Sequence, residues 1–298
     1  MAKGAGRAAL LILLSLAGAC GSSSVGSPSG AINVVAGENF WGSIAAQLGG
    51  SKAKVQSVVT DPNTDPHEYE SSTNDARAFA DANLVILNGA GYDAWGQKLL
   101  DANPSAHRTV LDVAQTLGLK VGDNPHFWYN PAYVGRVADR ITAEYKSIDS
   151  ADASYFDQRR SDFATALQPY TLEIGSIRQR YSGMPVGSTE SIFVYMASAL
   201  GLNLTTPDEF MNAVAEGTDP PASAVVTFQN QISANQIKVL IYNVQTATAV
   251  TTNVKALAAA HQIPSAGVSE TLVPEKATFQ DWQLKQLKSL EAALSSNS

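Results

Sequence analysis

Residues 152–182, DASYFDQRRSDFATALQPYTLEIGSIRQRYS, form a polar stretch whose apolar residues recur at steps of three, four or seven. That spacing places them on one face of a single helix. At about 1.5 Å per residue the helix is about 45 Å long, which is longer than an ordinary crossover helix. Pro169 predicts a kink or a break within it. We therefore predict a linking helix over 151–183, with its apolar face formed by Phe156, Phe163, Leu167, Tyr170, Ile174, Ile177 and Tyr181.

Short apolar runs lie on both sides of this segment and alternate with stretches of helical spacing. Such alternation is typical of parallel sheets covered by helices. The predicted fold class is α/β, with two lobes at 31–150 and 184–298, each a mostly parallel sheet flanked by helices, joined by one long rigid helix. The predicted strands are 32–36, 55–59, 84–87, 109–113, 184–188, 238–243 and 263–268. The predicted helices include 41–48, 72–82, 192–200 and 248–260.

The beginning of the chain predicts export. Lys3 and Arg7 precede a short apolar run, and small residues lead to Cys20, so that 1–20 has the features of a secretory signal with a lipobox. Lipidation of Cys20 would anchor the protein to the outer face of a bacterial cytoplasmic membrane. Residues 21–30 are rich in Ser and Gly and predict a flexible tether. The alternative is an ordinary signal peptide that contains an unrelated cysteine.

Composition excludes several classes of protein. The formal net charge is −7 and there is no basic run, which argues against nucleic-acid binding. Cys20 is the only cysteine, so the chain cannot form an internal disulfide. We expect a monomer.

Two of the four histidines lie in similar short motifs, Asp65-Pro66-His67-Glu68-Tyr69 and Asn124-Pro125-His126-Phe127-Trp128. The proline before each histidine stiffens the loop that presents the imidazole. Two imidazoles held in this way are typical of a transition-metal site. The remaining histidines, His107 and His261, lie in polar contexts and are expected to be solvated.

Two carboxylates follow predicted strands of the second lobe, in Ser188-Thr189-Glu190 and Ser269-Glu270-Thr271. Ligands of parallel sheets bind beyond the carboxyl ends of the strands, which is where Glu190 and Glu270 are expected. A glutamate after a strand is often only a residue that begins a helix. Together with His67 and His126, however, these carboxylates could enclose an ion between the lobes.

The chain resembles the metal-binding solute-binding proteins of zinc and manganese ABC importers, over about residues 31–295. The resemblance implies two α/β lobes joined by a long helix, a membrane permease as partner, and one divalent transition metal ion as the transported ligand. His67 and His126 match two histidine ligands of the family. Glu190 matches a position held by histidine or glutamate, and Glu270 one usually held by aspartate. The segments that carry the resemblance are 33–38, 40–41, 65–70, 88–89, 124–131, 188–195 and 269–271.

The sequence leaves the fourth ligand and the ion open. Asp281 competes with Glu270, although its position near a helix start favours a capping role. Two imidazoles and two carboxylates suit Zn²⁺, Mn²⁺ or Fe²⁺. Glu190, and the lack of the His-rich loop found in many zinc members, favour manganese.

Two other functions are alternatives to the receptor. An exported zinc hydrolase needs an open coordination position, and the HExxH motif that His67-Glu68 would begin fails because residue 71 is serine. A lipid-anchored surface adhesin is the other alternative. We predict a receptor that is not an enzyme.

Overall fold

The computed structural model describes residues 1–2, 30–62 and 69–296. The predicted signal peptide, most of the tether, Cys20 and His67 therefore lie outside the described residues. Within them, the strands are β1 (Ile32–Glu38), β2 (Ala53–Val59), β3 (Leu84–Leu87), β4 (Thr109–Asp112), β5 (Pro185–Ser188), β6 (Asn203–Leu204), β7 (Val239–Asn243) and β8 (Ser265–Val268). The helices are α1 (Asn39–Gly49), α2 (Thr73–Asp81), α3 (Ala94–Ala102), α4 (Val113–Leu117), α5 (Pro131–Ile148), α6 (Ala153–Ala166), α7 (Gln168–Tyr181), α8 (Val194–Leu200), α9 (Asp208–Ala215), α10 (Ala222–Ser233), α11 (Ala249–Ala260) and α12 (Phe279–Ser295).

The strands form two separate four-stranded sheets, ordered β2-β1-β3-β4 and β6-β5-β7-β8. Every pairing in both sheets is parallel. The α/β prediction with a parallel sheet in each half is confirmed. The strand β6 was not predicted, because a strand of two residues is too short to produce a periodic pattern.

The predicted linking segment is present as two consecutive helices, α6 and α7, with Leu167 between them. Proline has no N–H, so Pro169 cannot make the helical hydrogen bond to residue 165. Leu167 nevertheless keeps right-handed helical angles, and the Thr171 N–H donates to its carbonyl at 3.0 Å. The break expected from Pro169 therefore occurs at Leu167, two residues before the proline.

The last helix, α12, also connects the two halves. It packs against α7 and β8, and its first residues reach α1 of the first half. The Phe279 N–H donates to Ser43 Oγ at 2.9 Å, and the side-chain amides of Gln280 and Gln47 bond each other at 2.8 and 3.1 Å. One continuous hydrophobic core contains buried residues from both sheets, including Val34 and Ile241. The two sheets are thus held together by more than the linking segment.

Two helix starts can be compared directly with the sequence. The predicted helix 72–82 is present as α2, and Ser72 caps it in a capping box with Asp75. The predicted helix 192–200 instead starts as a 3-10 turn over Ser191–Phe193, and α8 follows. In the part of the chain that the structure describes, no helix combines the length and apolar character that a membrane crossing requires.

Candidate metal centre

Three of the four predicted ligands converge between the two sheets. His126, Glu190 and Glu270 offer ligand atoms that all lie within 4.8 Å of one another. The three residues are only 0%, 2% and 1% exposed, respectively. His67 lies outside the described residues, so its predicted role is not tested. Charged side chains are rarely buried this deeply unless they are paired or bind a metal.

The His126 ring is oriented by Asn124, which is part of the same loop. Asn124 Oδ1 accepts from the His126 backbone N–H at 3.0 Å and lies 2.7 Å from the ring nitrogen Nδ1. The amide nitrogen of Asn124 donates to the Ser191 carbonyl at 2.7 Å, which fixes the side of the amide that faces the ring. Nδ1 therefore carries the hydrogen, and Nε2 of a neutral ring has the lone pair that a metal needs.

Aromatic rings surround the same imidazole. Trp128 lies 5.3 Å and Tyr92 lies 6.2 Å from the His126 ring centroid, both edge to face. Trp128 in turn stacks on Phe40 at 3.9 Å. His126 directly precedes the 3-10 turn Phe127–Tyr129, whose three side chains are buried. Packing and the two hydrogen bonds to Asn124 thus help to hold His126 in position.

The two carboxylates share a donor from a third strand. Nδ2 of Asn243, at the end of β7, lies 2.9 Å from Glu190 Oε1 and 2.7 Å from Glu270 Oε1. The other oxygen of Glu270 accepts from the Tyr92 hydroxyl at 2.5 Å. Because Tyr92 belongs to the first half of the chain, this bond crosses between the lobes.

The backbone that carries Glu270 is held by Gln245. Gln245 Oε1 accepts from the N–H groups of Glu270 and Thr271 at 2.7 and 2.9 Å. On the other side, Ser269 N donates to Gln286 of α12 at 2.8 Å. The loop after β8 is therefore fixed by side chains from β7's carboxyl end and from α12.

A further carboxyl group, Glu38, lies at the carboxyl end of β1. It is fully buried, and among the described residues neither of its oxygens has a hydrogen-bond partner. Burial raises the pKa of Glu38 well above its usual value, and the charges of Asp93 and Glu270 raise it further. Burial also raises the pKa of Asp93 to about 6, although backbone N–H groups of Gly89 and Asn88 oppose that shift. The described residues thus place two further carboxyl groups near Glu270, and burial favours the neutral form of each.

The other candidate residues lie away from the centre. Asp281 is exposed in the first turn of α12, and the cap of that helix is Thr278, whose hydroxyl oxygen accepts from the Asp281 backbone N–H at 3.3 Å. His107 is exposed and His261 is partly exposed. Asn130, near His126 in sequence, caps α5 and does not orient the ring.

Four residues that hold the centre were not predicted from the sequence: Tyr92, Asn124, Asn243 and Gln245. Asn124 is part of the His126 motif, and its position two residues before the histidine was a usable signal. Asn243 and Gln245 lie at and beyond the end of β7, so the rule that sites lie beyond strand ends could have found them. Tyr92 gave no such signal, because its partner Glu270 is 178 residues away.

A family model matches most of the chain. The model of the family described as "Zinc-uptake complex component A periplasmic" (ZnuA) matches residues 34–293. The chain belongs to this family. The predicted membership in the metal-receptor family of ABC importers is confirmed, and the family is one of solute-binding receptors rather than enzymes.

Individual relatives agree with this assignment. The chain is 24% identical over 230 residues to the "Manganese ABC transporter substrate-binding lipoprotein PsaA" of Streptococcus anginosus, covering 70% of this chain and 72% of that protein. Its fold resembles that of a mutant "Mn-bound periplasmic metal binding protein from candidatus liberibacter asiaticus", with TM-score 0.74, 14% identity, and coverage of 89% and 99%. A crystal structure of ZnuA gives TM-score 0.70 and 24% identity, with coverage of 90% and 100%.

Proposed function

We propose that this ZnuA family member captures one divalent transition metal ion between its lobes and delivers it to the membrane permease of an ABC importer. The observation that carries the proposal is the convergence of His126, Glu190 and Glu270 in one buried group drawn from both halves of the chain. One imidazole nitrogen and two carboxylates are ligands suited to Zn²⁺, Mn²⁺ or Fe²⁺. The ion is the cargo of the receptor.

His67 is proposed as the fourth ligand. Its loop begins beyond the carboxyl end of β2, and at the same end of that sheet Asn88, directly after β3, donates to the carbonyl of Pro125, the residue before His126, at 2.9 Å. Contacts of Asn39 support a His67 position close to Glu270. The Asn39 amide nitrogen donates to the Thr60 carbonyl at 3.4 Å, and its amide oxygen accepts from the Leu272 N–H at 3.1 Å. One side chain thus connects the start of the His67 loop to the loop that carries Glu270.

The cellular setting follows from the first thirty residues. We propose cleavage before Cys20, lipidation of that cysteine and attachment to the outer face of the cytoplasmic membrane. The tether over 21–30 would leave the receptor free to reach its permease. We propose that the receptor has no catalytic activity, because four protein ligands leave a tetrahedral ion no position for a reactive water. We also propose that it acts as a monomer.

Metal-dependent stabilisation tests the proposal. Metal-free protein is titrated with Zn²⁺ and with Mn²⁺ while its thermal unfolding is recorded, alongside Glu190→Ala and a control, Glu216→Ala, whose side chain is exposed beyond α9. A ligand at 100 times its dissociation constant stabilises by about 2.7 kcal/mol. We expect a rise in midpoint for the wild type and the control, and little rise for Glu190→Ala. No rise with either ion in the wild type would refute the metal receptor.

A further inference from the structure

The proposed ligands are closed off from solvent. His126, Glu190 and Glu270 are each at most 2% exposed. An ion can therefore reach or leave them only when a residue that covers them moves. The residues to consider are those that contact a ligand on one side and solvent-accessible space on the other.

A cavity of about 400 Å³ lies between the two halves of the chain and is lined by residues from both. Its lining includes Pro125, the residue before His126, and Ser191, the residue after Glu190. Tyr92 also lines this cavity, and its hydroxyl donates to Glu270. A neighbour of each of the three ligands is thus part of one cavity wall, which makes this cavity the route we consider for the ion.

Two residues of that wall bond a proposed ligand, and the consequences of moving them differ. Asn124 orients the His126 ring through Nδ1, so its displacement would release the ring. The Tyr92 hydroxyl bonds only the Oε2 atom of Glu270, at 2.5 Å. That bond can open while Asn243 still donates to Oε1 of the same carboxylate at 2.7 Å. Tyr92 is therefore the wall residue that can move while the ligands stay in position.

The backbone before Tyr92 is suited to such a movement. Gly89, Ala90 and Gly91 have φ angles of 76°, 55° and 90°. The two glycines accept a wide range of φ, and Ala90 holds a left-handed conformation that residues other than glycine rarely adopt. A Cβ added to Gly91 would meet only Val121 within 4 Å, and Val121 is itself 76% exposed. The solvent side of this loop is thus loosely packed, as expected for a segment that moves.

We propose that Tyr92 is the gate residue of the receptor, and that an ion passes between the cavity and the ligands when the bond from its hydroxyl to Glu270 opens. This inference rests on the proposed function and deepens it, because it concerns how the ion enters and leaves rather than which ion is carried. Tyr92 belongs to the first half of the chain and Glu270 to the second, so the same bond joins the two halves across the route.

Tyr92→Phe tests the gate, because it removes the hydroxyl and keeps the ring that packs against Trp128. Metal entry is measured by stopped-flow tryptophan fluorescence when the full chain is mixed with Zn²⁺ or Mn²⁺, since Trp128 lies 5.3 Å from the His126 ring. Metal release is measured by mixing the loaded protein with excess chelator. We expect both rates to rise by about 10-fold, because the bond that must open is gone, and the dissociation constant to change by less than about threefold.

A second variant blocks the proposed route. Asn212 is exposed on α9 and lines the cavity, so Asn212→Trp places a large ring in the passage and changes no proposed ligand. Thr252→Trp is the matched control, because Thr252 is exposed on α11 and lines a different cavity, of about 270 Å³, formed within the second half alone. We expect Asn212→Trp to slow entry and release together and Thr252→Trp to keep the wild-type rates. Circular dichroism and the thermal midpoint establish that each variant is folded.

Faster release with unchanged entry in Tyr92→Phe would overturn the inference, since a hydroxyl that only supports Glu270 changes the affinity and not the passage. Entry and release rates that stay the same or fall in this variant would overturn it too. Wild-type rates in Asn212→Trp, or slowing in Thr252→Trp instead, would place the route elsewhere and contradict the gate. These outcomes differ from failure of the proposed function, in which the wild type would bind neither zinc nor manganese.

Discussion

The two halves of the candidate metal centre position their proposed ligands in different ways. His126 is held from nearby in the sequence, by Asn124 two residues before it and by packing against Trp128 two residues after it. Glu190 and Glu270 are held from a distance, by Asn243, which is 53 and 27 residues away. The comparison shows that a short motif can define the first half, whereas the second half exists only when the sheet has formed.

Removing an imidazole should have the largest effect. His67→Ala removes a proposed ligand, and we expect metal affinity to fall by more than the roughly 100-fold that changes around a site cause. His107→Ala, at an exposed histidine, is the matched control and should bind as the wild type does. Isothermal titration with Zn²⁺ and Mn²⁺ measures both. Wild-type affinity in His67→Ala would remove His67 from the site.

Loss of the hydrogen bond between Asn124 and the His126 ring should have the second-largest effect on metal affinity. Asn124→Ala removes the acceptor of the Nδ1 hydrogen and should weaken binding of either ion by about 10-fold. Asn124→Asp keeps an acceptor oxygen beside Nδ1 and should recover part of the loss. The same titrations distinguish the two variants. If Asn124→Asp binds metal no better than Asn124→Ala, then Asn124 does not act by orienting the His126 ring.

The distant support of Glu270 should matter for stability as well as binding. Gln245→Ala leaves two backbone N–H groups of the β8 loop without their acceptor, which costs about 1–3 kcal/mol when such groups are buried. We expect the free energy of unfolding to fall by that amount and metal affinity to fall severalfold. Gln236→Ala, an exposed glutamine before β7, is the control. Urea unfolding that does not distinguish the two variants would contradict this role.

Glu38 gives the smallest expected effect and a dependence on pH. Its pKa is raised in the folded protein. At a pH well below the usual pKa of 4.5, Glu38 is therefore protonated in both the folded and the unfolded chain. As the pH rises above that value, the unfolded chain ionises first and stability is lost until the folded pKa is passed. Glu38→Gln removes this loss. The metal-free variant should therefore be more stable than the metal-free wild type at about pH 7.

Urea unfolding of metal-free protein at about pH 4 and about pH 7, on either side of the usual glutamate pKa, measures that difference. The wild type should lose more stability between the two pH values than Glu38→Gln does. Equal losses would mean that Glu38 ionises as readily in the folded protein as in the unfolded chain.

The fold and the proposed ligands were easier to find from the sequence than the residues that support them. Apolar runs and helical spacing are local patterns, which is why β3 and the two helices of the linking segment could be found from them. His126 and Glu190 could be found because motifs and strand ends mark them. The bonds from Tyr92 to Glu270 and from Asn243 to both carboxylates depend on register between strands far apart in the sequence. No local pattern encodes that register.

An anomalous-diffraction map of the crystallised protein loaded with Zn²⁺, recorded at the zinc absorption edge, tests most directly whether both lobes enclose the ion. We predict one strong peak within bonding distance of His126 Nε2, of one oxygen each from Glu190 and Glu270, and of the His67 imidazole, at about 2.0–2.2 Å. A peak elsewhere, or a peak bonded to only one of the two lobes, would contradict the claim that both lobes enclose the ion.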